Sequence, residues 1–262
     1  MSRMPLTFEC QGLPLAGTLD TARDNAPGKT GLLIVSGGNE IRSGTFSGQS
    51  RLAANIAAAG FPVFRFDRRG IGDSDGENRG FRNSGKDIAA AVAAFRALAP
   101  QMQQVFGFGN CDAASALMLS QGRGLDGLIL SNPWTIEDDA SGAPPPTAIR
   151  SRYAEKLKNP KELLRLVTGG VDMRKLVSGL RQAAASNQDI TPLARNMAAG
   201  IEGFNGPIRF LLAARDRTAQ AFESNWMAHD PRIYRCDGAS HAYVEPHAKQ
   251  WLEQQILEVL KT

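Results

Sequence analysis

The chain has 262 residues, enough for one large α/β domain or two small ones. Hydrophobic residues make up 42% and charged residues 21%, ordinary globular values that exclude disordered and fibrous classes. The net charge of +4 and pI near 9.1 are compatible with an anionic ligand but do not call for nucleic acid. No apolar run approaches the roughly 20 residues of a membrane span. Met1–Gln11 lacks the basic-then-apolar pattern of a secretory signal. Cys10, Cys111 and Cys236 match neither a disulfide framework nor a zinc pattern, so they read as free thiols of a reducing cytoplasm.

Short β-like runs alternate with helical patterns, the signature of an α/β sheet protein. Leu6–Cys10 and Leu15–Leu19 read as an opening antiparallel pair around Gly12 and Pro14. Gly31–Ser36 is a near-continuous apolar run, as a buried parallel strand requires. Phe61–Asp67, Gln104–Gly109, Asp126–Asn132, Ile208–Ala213 and Arg232–Cys236 are the other expected strands. Between them, Leu52, Ala53, Ile56 and Ala57 share a helical face, with Gly60 as its stop. Ile88, Val92, Phe95 and Leu98 share a second face, closed by Pro100, and Ala248, Leu252, Ile256 and Val259 a third.

The alternation breaks after Asn132. The Ser141–Pro146 stretch is stiff and poorly helical, and helical patterns follow at 147–158, 160–168 and 173–185. We expect a core of 1–132 and 207–262, with 133–206 inserted as a helical cap; a few extra packing helices is the plainer alternative. From Arg150 to Arg181 there are nine basic residues against three acidic ones. That is either a solvated helix face or a surface for an anionic substrate, carrier or lipid headgroup. Tyr153 is the one aromatic residue there, too few for stacking nucleic-acid bases.

The most informative stretch runs from Val105 to Leu117. A β-like run ends in Gly109-Asn110-Cys111-Asp112-Ala113, and a small-residue helical pattern follows. This is the strand–turn–helix context of a nucleophile elbow, G-x-nucleophile-x-G, with Cys in the nucleophile place and Ala113 in the last. A thiolate suits a helix N-terminus, where free N–H groups and the dipole favour negative charge. Taken alone, Cys111 would read as a small buried hydrophobe; the elbow context overrides that.

With Val35–Ile41, Phe66–Ser74 and Gly238–His241, this elbow resembles the α/β-hydrolase superfamily over essentially the whole chain. More narrowly, the chain is similar to the exosortase A system-associated hydrolase 1 family. The resemblance implies a mostly parallel central sheet flanked by helices and a link to exopolysaccharide production; it implies no defined substrate. In such hydrolases the triad follows in the order nucleophile, acid, base. Asp216, after the Ile208–Ala213 strand, is the expected acid, though it also reads as an N-cap; Asp237 and Glu223 are weaker competitors. His241 is the expected base, since His229 precedes the last strand and His247 lies in the terminal helix.

The oxyanion donors are expected to be the backbone N–H of Asp112 and that of Gly38 or Asn39, in a turn where Ser36 replaces the superfamily's usual His. The Asp112 side chain should point away along the helix start. Asp67–Ser74 resembles the superfamily's D-x-R-G-x-G-x-S turn. Arg68, Arg69 and Asp73 are expected to brace loops beside the site, with substrate binding by Arg69 as the lesser alternative. No metal or cofactor motif is present. The expectation is a Cys-dependent hydrolase of a small ester or thioester substrate, with an anionic or carrier-linked substrate compatible with the charge. The same triad would serve an acyltransferase, and the same fold a catalytically silent binding protein.

Overall fold

The computed structural model describes residues 1–22, 28–137, 190–227 and 229–262. Strands β1 (Ser2–Cys10) and β2 (Leu13–Thr21) form the expected antiparallel pair, Cys10 facing Leu13 across a two-residue turn. Gln11 and Gly12 in that turn have φ of 56° and 78°, the left-handed pair whose twist matches a hairpin. The sheet continues with β3 (Thr30–Val35), β4 (Val63–Phe66), β5 (Gln104–Asn110), β6 (Gly127–Ser131), β7 (Ile208–Ala213) and β8 (Ile233–Cys236). All eight pair in the order β1-β2-β4-β3-β5-β6-β7-β8. β2 meets β4 antiparallel, and every later neighbour is parallel.

Strand alternation sorts the core into two layers. Leu33, Val35, Phe64 and Phe66 point to one face, and Leu32, Ile34, Val63, Phe106 and Phe108 to the other. Burial on both faces explains why these strands read as continuous apolar runs. The first face is covered by α2 (Gly85–Leu98), α3 (Asp112–Leu119), α4 (Pro192–Glu202) and α5 (Arg217–Ser224). The second is covered by α1 (Gly48–Ala58) and α6 (Pro246–Leu260).

Helix α1 ends as its sequence suggests. Gly60 has φ 101°, its N–H bonds the Ala57 carbonyl, and Phe61 N–H reaches back to Ile56. That pair of bonds closes a Schellman motif around a glycine. In α2, Ile88, Ala91, Val92 and Phe95 are buried as the pattern requires. Leu98 departs from it: in the last turn of the helix it is exposed. Helix α4 buries Leu193, Ala194, Met197 and Ile201 in the first layer, so the packing around the sheet has resumed by Pro192. The helical patterns at 147–158, 160–168 and 173–185, and the basic stretch 150–181, lie outside the described residues.

Topology decides where a ligand can sit. From β3 the chain steps outward to β4, then returns across β3 to β5. Helices α1 and α3, which follow β3 and β5, therefore cover opposite faces. A crevice opens at the carboxyl ends of β3 and β5, the switch point of an open parallel sheet. Val35 pairs with Gly109, so the turns beginning at Ser36 and Asn110 emerge side by side.

Candidate active site

Cys111 stands at this switch point, between β5 and α3. Its backbone is at φ 64°, ψ −129°, outside the regions that side-chain-bearing residues normally occupy. The turn is held from both sides. Cys111 N–H donates to Ser131 O at 2.9 Å, and its carbonyl accepts from Ala114 N at 3.1 Å and Trp134 N at 3.3 Å. The path is open only to small neighbours. A Cβ on Gly109 would lie 2.7 Å from Ala113 C and Ala114 N, and one on Gly37 would lie 2.6 Å from Asn110 O. Ala113 is fully buried in the last elbow position.

His241 and Asp216 meet as the chain order suggests. His241 Nδ1 lies 2.8 Å from Asp216 Oδ2. Hydrogen bonding to Asp216, and next to Cys111, pushes the imidazole up to about 10, so it is held protonated at neutral pH. The two readings of Asp216 turn out to be compatible. Its carboxylate also caps α5, with Oδ1 accepting from Thr218 N at 3.2 Å and Oδ2 from Ala219 N at 3.1 Å. The helix N-terminus thus keeps the carboxylate in place. Asp237 offers only its backbone, taking His247 Nε2 at 3.0 Å, and Glu223 pairs with Arg235 at 2.6 Å.

Sequence reasoning missed what fastens the histidine. Asn110 Nδ2 and Asn132 Nδ2 donate to the His241 carbonyl at 3.2 and 3.3 Å. Asn132 is fully buried at φ 43°. Its amide also donates to Asn110 Oδ1 at 2.9 Å and accepts from Ala213 N at 2.8 Å. Tyr243 adds a second anchor, its hydroxyl 2.9 Å from Ser131 Oγ and 3.1 Å from Leu211 O. Burial holds that phenol protonated, well above the usual tyrosine range. The signal was present as polar residues ending two central strands, but polarity there does not name its partner.

Asp112 does not behave as expected. Instead of pointing away along α3, its side chain folds back onto the Ser36–Asn39 turn. Oδ1 accepts the Gly38 N–H at 2.6 Å, and Oδ2 lies 3.6 Å from Arg68 Nη2. The physical reason is local. The first residue of α3 sits beside a free amide and a buried guanidinium, and a carboxylate satisfies both. One expected oxyanion donor, Gly38, is therefore occupied by an anion of the chain itself. Asn39 N–H carries no partner among the described residues. Ser36 takes over loop support by bonding Gln49 Oε1 at 3.1 Å.

The Asp67–Ser74 turn braces this region. Arg68 is buried, with Nη2 bonded to the Gly38 carbonyl and Nη1 3.2 Å from Ser84 Oγ. Asp67 binds the Arg42 guanidinium and the amides of Arg42 and Asp73, and Asp73 pairs with Arg42 at 2.9 Å. Arg69 is buried on Asp87 at 2.6 Å, with contacts to Cys10 and Gln11. These are bracing contacts, and those of Arg69 do not reach the Cys111 turn.

All three cysteines are free thiols. Cys10 and Cys236 are buried, and burial pushes both thiols up, reinforced by Asp87 at Cys10 and Asp237 at Cys236. Cys111 is the partly exposed one. Among the described residues no three His, Cys, Asp or Glu side chains converge so as to hold a metal ion, and no helix is long and apolar enough to cross a membrane.

This architecture recurs in known proteins. Residues 27–201 match the family model described as serine aminopeptidase, S33. The Pyrococcus furiosus esterase Pf2001 has a TM-score of 0.62 at 17% identity, with 99% of this chain and 92% of that one covered. The α/β hydrolase GrgF from a Penicillium species gives 0.64 at 18%, with 100% and 98% covered. XC6422 of Xanthomonas campestris, described as an α/β serine hydrolase without lid, gives 0.61 at 15%, with 100% and 94% covered. No curated protein matches the chain. At these identities the structural likeness is one of fold, while the family match spans well over half of the sequence: the chain belongs to the S33 serine aminopeptidase family of α/β-hydrolases.

Proposed function

We propose that this protein is a cysteine-dependent acyl hydrolase, acting on an ester or thioester through Cys111, His241 and Asp216. The observation that carries the reading is the imidazole bonded to Asp216 and held protonated up to about pH 10, by that carboxylate first and by Cys111 next. A protonated imidazole beside the thiol is the partner that a thiolate needs. Asp216 fixes the tautomer and stabilises the imidazolium.

Each step follows from charge movement. The Cys111 thiolate attacks the acyl carbon, and its electron pair moves the carbonyl π pair onto oxygen. The N–H groups of Asp112 and Asn39 receive that oxyanion, Gly38 N–H being held by the Asp112 carboxylate. Collapse expels the leaving alkoxide or thiolate, which takes the proton of His241. A thioester on Cys111 remains, and the imidazole is neutral. It then accepts a proton from water as the hydroxyl attacks, and expulsion of the thiolate releases the acid. While Cys111 is acylated its contribution to the imidazole's elevation is gone, so the imidazole deprotonates more readily. Deacylation should therefore rise with pH.

The resemblance to the exosortase-associated family supports a role in exopolysaccharide production, and the three unpaired thiols support a reducing cytoplasm. The substrate in this reading is a small acyl compound, anionic or carrier-linked. The test is the pH dependence of iodoacetamide labelling at each cysteine, in wild type and His241→Ala. Fast labelling confined to Cys111 below pH 7, lost in the variant, supports the reading. Slow labelling indifferent to His241, with normal labelling of the denatured chain, would sink it. Turnover of a short acyl thioester with and without an added alcohol then separates hydrolysis from acyl transfer.

A further inference from the structure

A second concave site lies apart from the triad, at the far end of α3. Helix α3 runs eight residues from the Cys111 turn, so its two ends are about 12 Å apart at 1.5 Å per residue. Past that far end, the N-terminal turn of α2, the Leu119–Arg123 segment and the hairpin residue Gln11 enclose a cleft of about 530 Å³. That volume is in the range of small-molecule sites.

The cleft's charge has one sign. Among the described residues Arg69, Arg79, Arg82, Lys86 and Arg123 line it, and no carboxylate does. Two of these cations are already neutralised, Arg69 by Asp87 and Arg82 by Glu137, each at 2.6 Å. The other three are not. Arg79 and Lys86 have no side-chain partner among the described residues, and Arg123 bonds only Gln121 Oε1, at 3.1 and 3.3 Å. Like charges gathered round a concavity repel one another and focus a positive potential there. The α2 N-terminus faces it as well: this 14-residue helix has no side-chain cap, Gly85 and Lys86 of its first turn line the cleft, and the Asp87 carboxylate of that turn is taken up by Arg69. Ile88, Ala89 and Leu119 supply an apolar floor.

We propose that this cleft binds an organic di- or triphosphate ester, its phosphates on Arg79, Lys86 and Arg123 and its organic part on the apolar floor. A phosphate group offers several acceptor oxygens to guanidinium forks, which suits cations lacking carboxylates. The inference stands independently of the Cys111 chemistry.

The test is calorimetric titration of the full chain at 150 mM salt with inorganic pyrophosphate and with ADP, and with sulfate at matched ionic strength as reference. Saturable binding is expected for both phosphates, tighter for ADP, with sulfate at least tenfold weaker. Arg79→Gln with Arg123→Gln should weaken pyrophosphate at least tenfold. Lys249→Gln with Lys261→Gln, the same charge change on the opposite face of the sheet, should leave it within twofold. All four side chains are exposed, so the variants should keep the wild-type circular dichroism. Absence of saturable binding would overturn the proposal. So would equal weakening in both pairs, which would mark diffuse attraction to a basic surface.

Discussion

The Cys111 turn and the His241 loop both lie at the carboxyl ends of the parallel strands but are held in different ways. The turn is specified by its own neighbours: Gly109 clears the backbone, Cys111 absorbs the strain, and the following helix begins at once. The loop is specified from afar. Its histidine is set by an amide pair at the ends of β5 and β6, a tyrosine reaching β6 and β7, and the cap residue of α5. A site can thus be rigid on one side through steric exclusion and on the other through hydrogen bonds.

Substitutions can break this contrast, beginning with the largest effect. Cys111→Ala should cut acyl transfer by roughly 10⁴-fold or more with the melting temperature nearly unchanged. Survival of turnover would reject the elbow. Asp216→Asn should retain the α5 cap, a role Asn fills as well as Asp, while removing the largest cause of the raised imidazole pKa. Its pH–alkylation profile should then lose its low-pH plateau and turnover should drop by about 10²-fold or more. Asp216→Ala should add about 1 kcal/mol of destabilisation. An Asn variant as unstable as the Ala variant would show that the charge, and not the cap, supports α5.

Gly109→Ala tests steric exclusion. It should cost about 1–3 kcal/mol and disorder the nucleophile, seen together in denaturant melts and Cys111 labelling. Asn132→Ala tests the hydrogen-bonded side. It leaves the buried Ala213 N–H unpaired and loosens His241, for a cost of about 1–3 kcal/mol. Labelling of Cys111 should become less dependent on His241 while the elbow stays formed. The smallest change is expected from Asp112→Asn. An amide oxygen still accepts the Gly38 N–H but without the charge, so acylation should speed up severalfold at most; unchanged or slower acylation would mean that the negative charge does not oppose the oxyanion. Maximal iodoacetamide alkylation, which forms no oxyanion, separates this from loss of the nucleophile.

The amino-acid sequence alone determined the strand–helix alternation, the opening hairpin, the Gly60 helix stop and the elbow. Each rests on residues within a few positions of one another, where apolar period, glycine freedom and small-residue spacing act directly. It also indicated His241 and Asp216, because chain order places them after the last two strands. Only the tertiary structure decided that Asp216 serves both His241 and α5, that Asn110 and Asn132 clamp the histidine, and that Asp112 turns back onto Gly38. These contacts join residues from 22 to 131 positions apart, apart from the Asp216 cap. A side chain's polarity is written in the sequence, but its partner is set by which strand ends the sheet brings together.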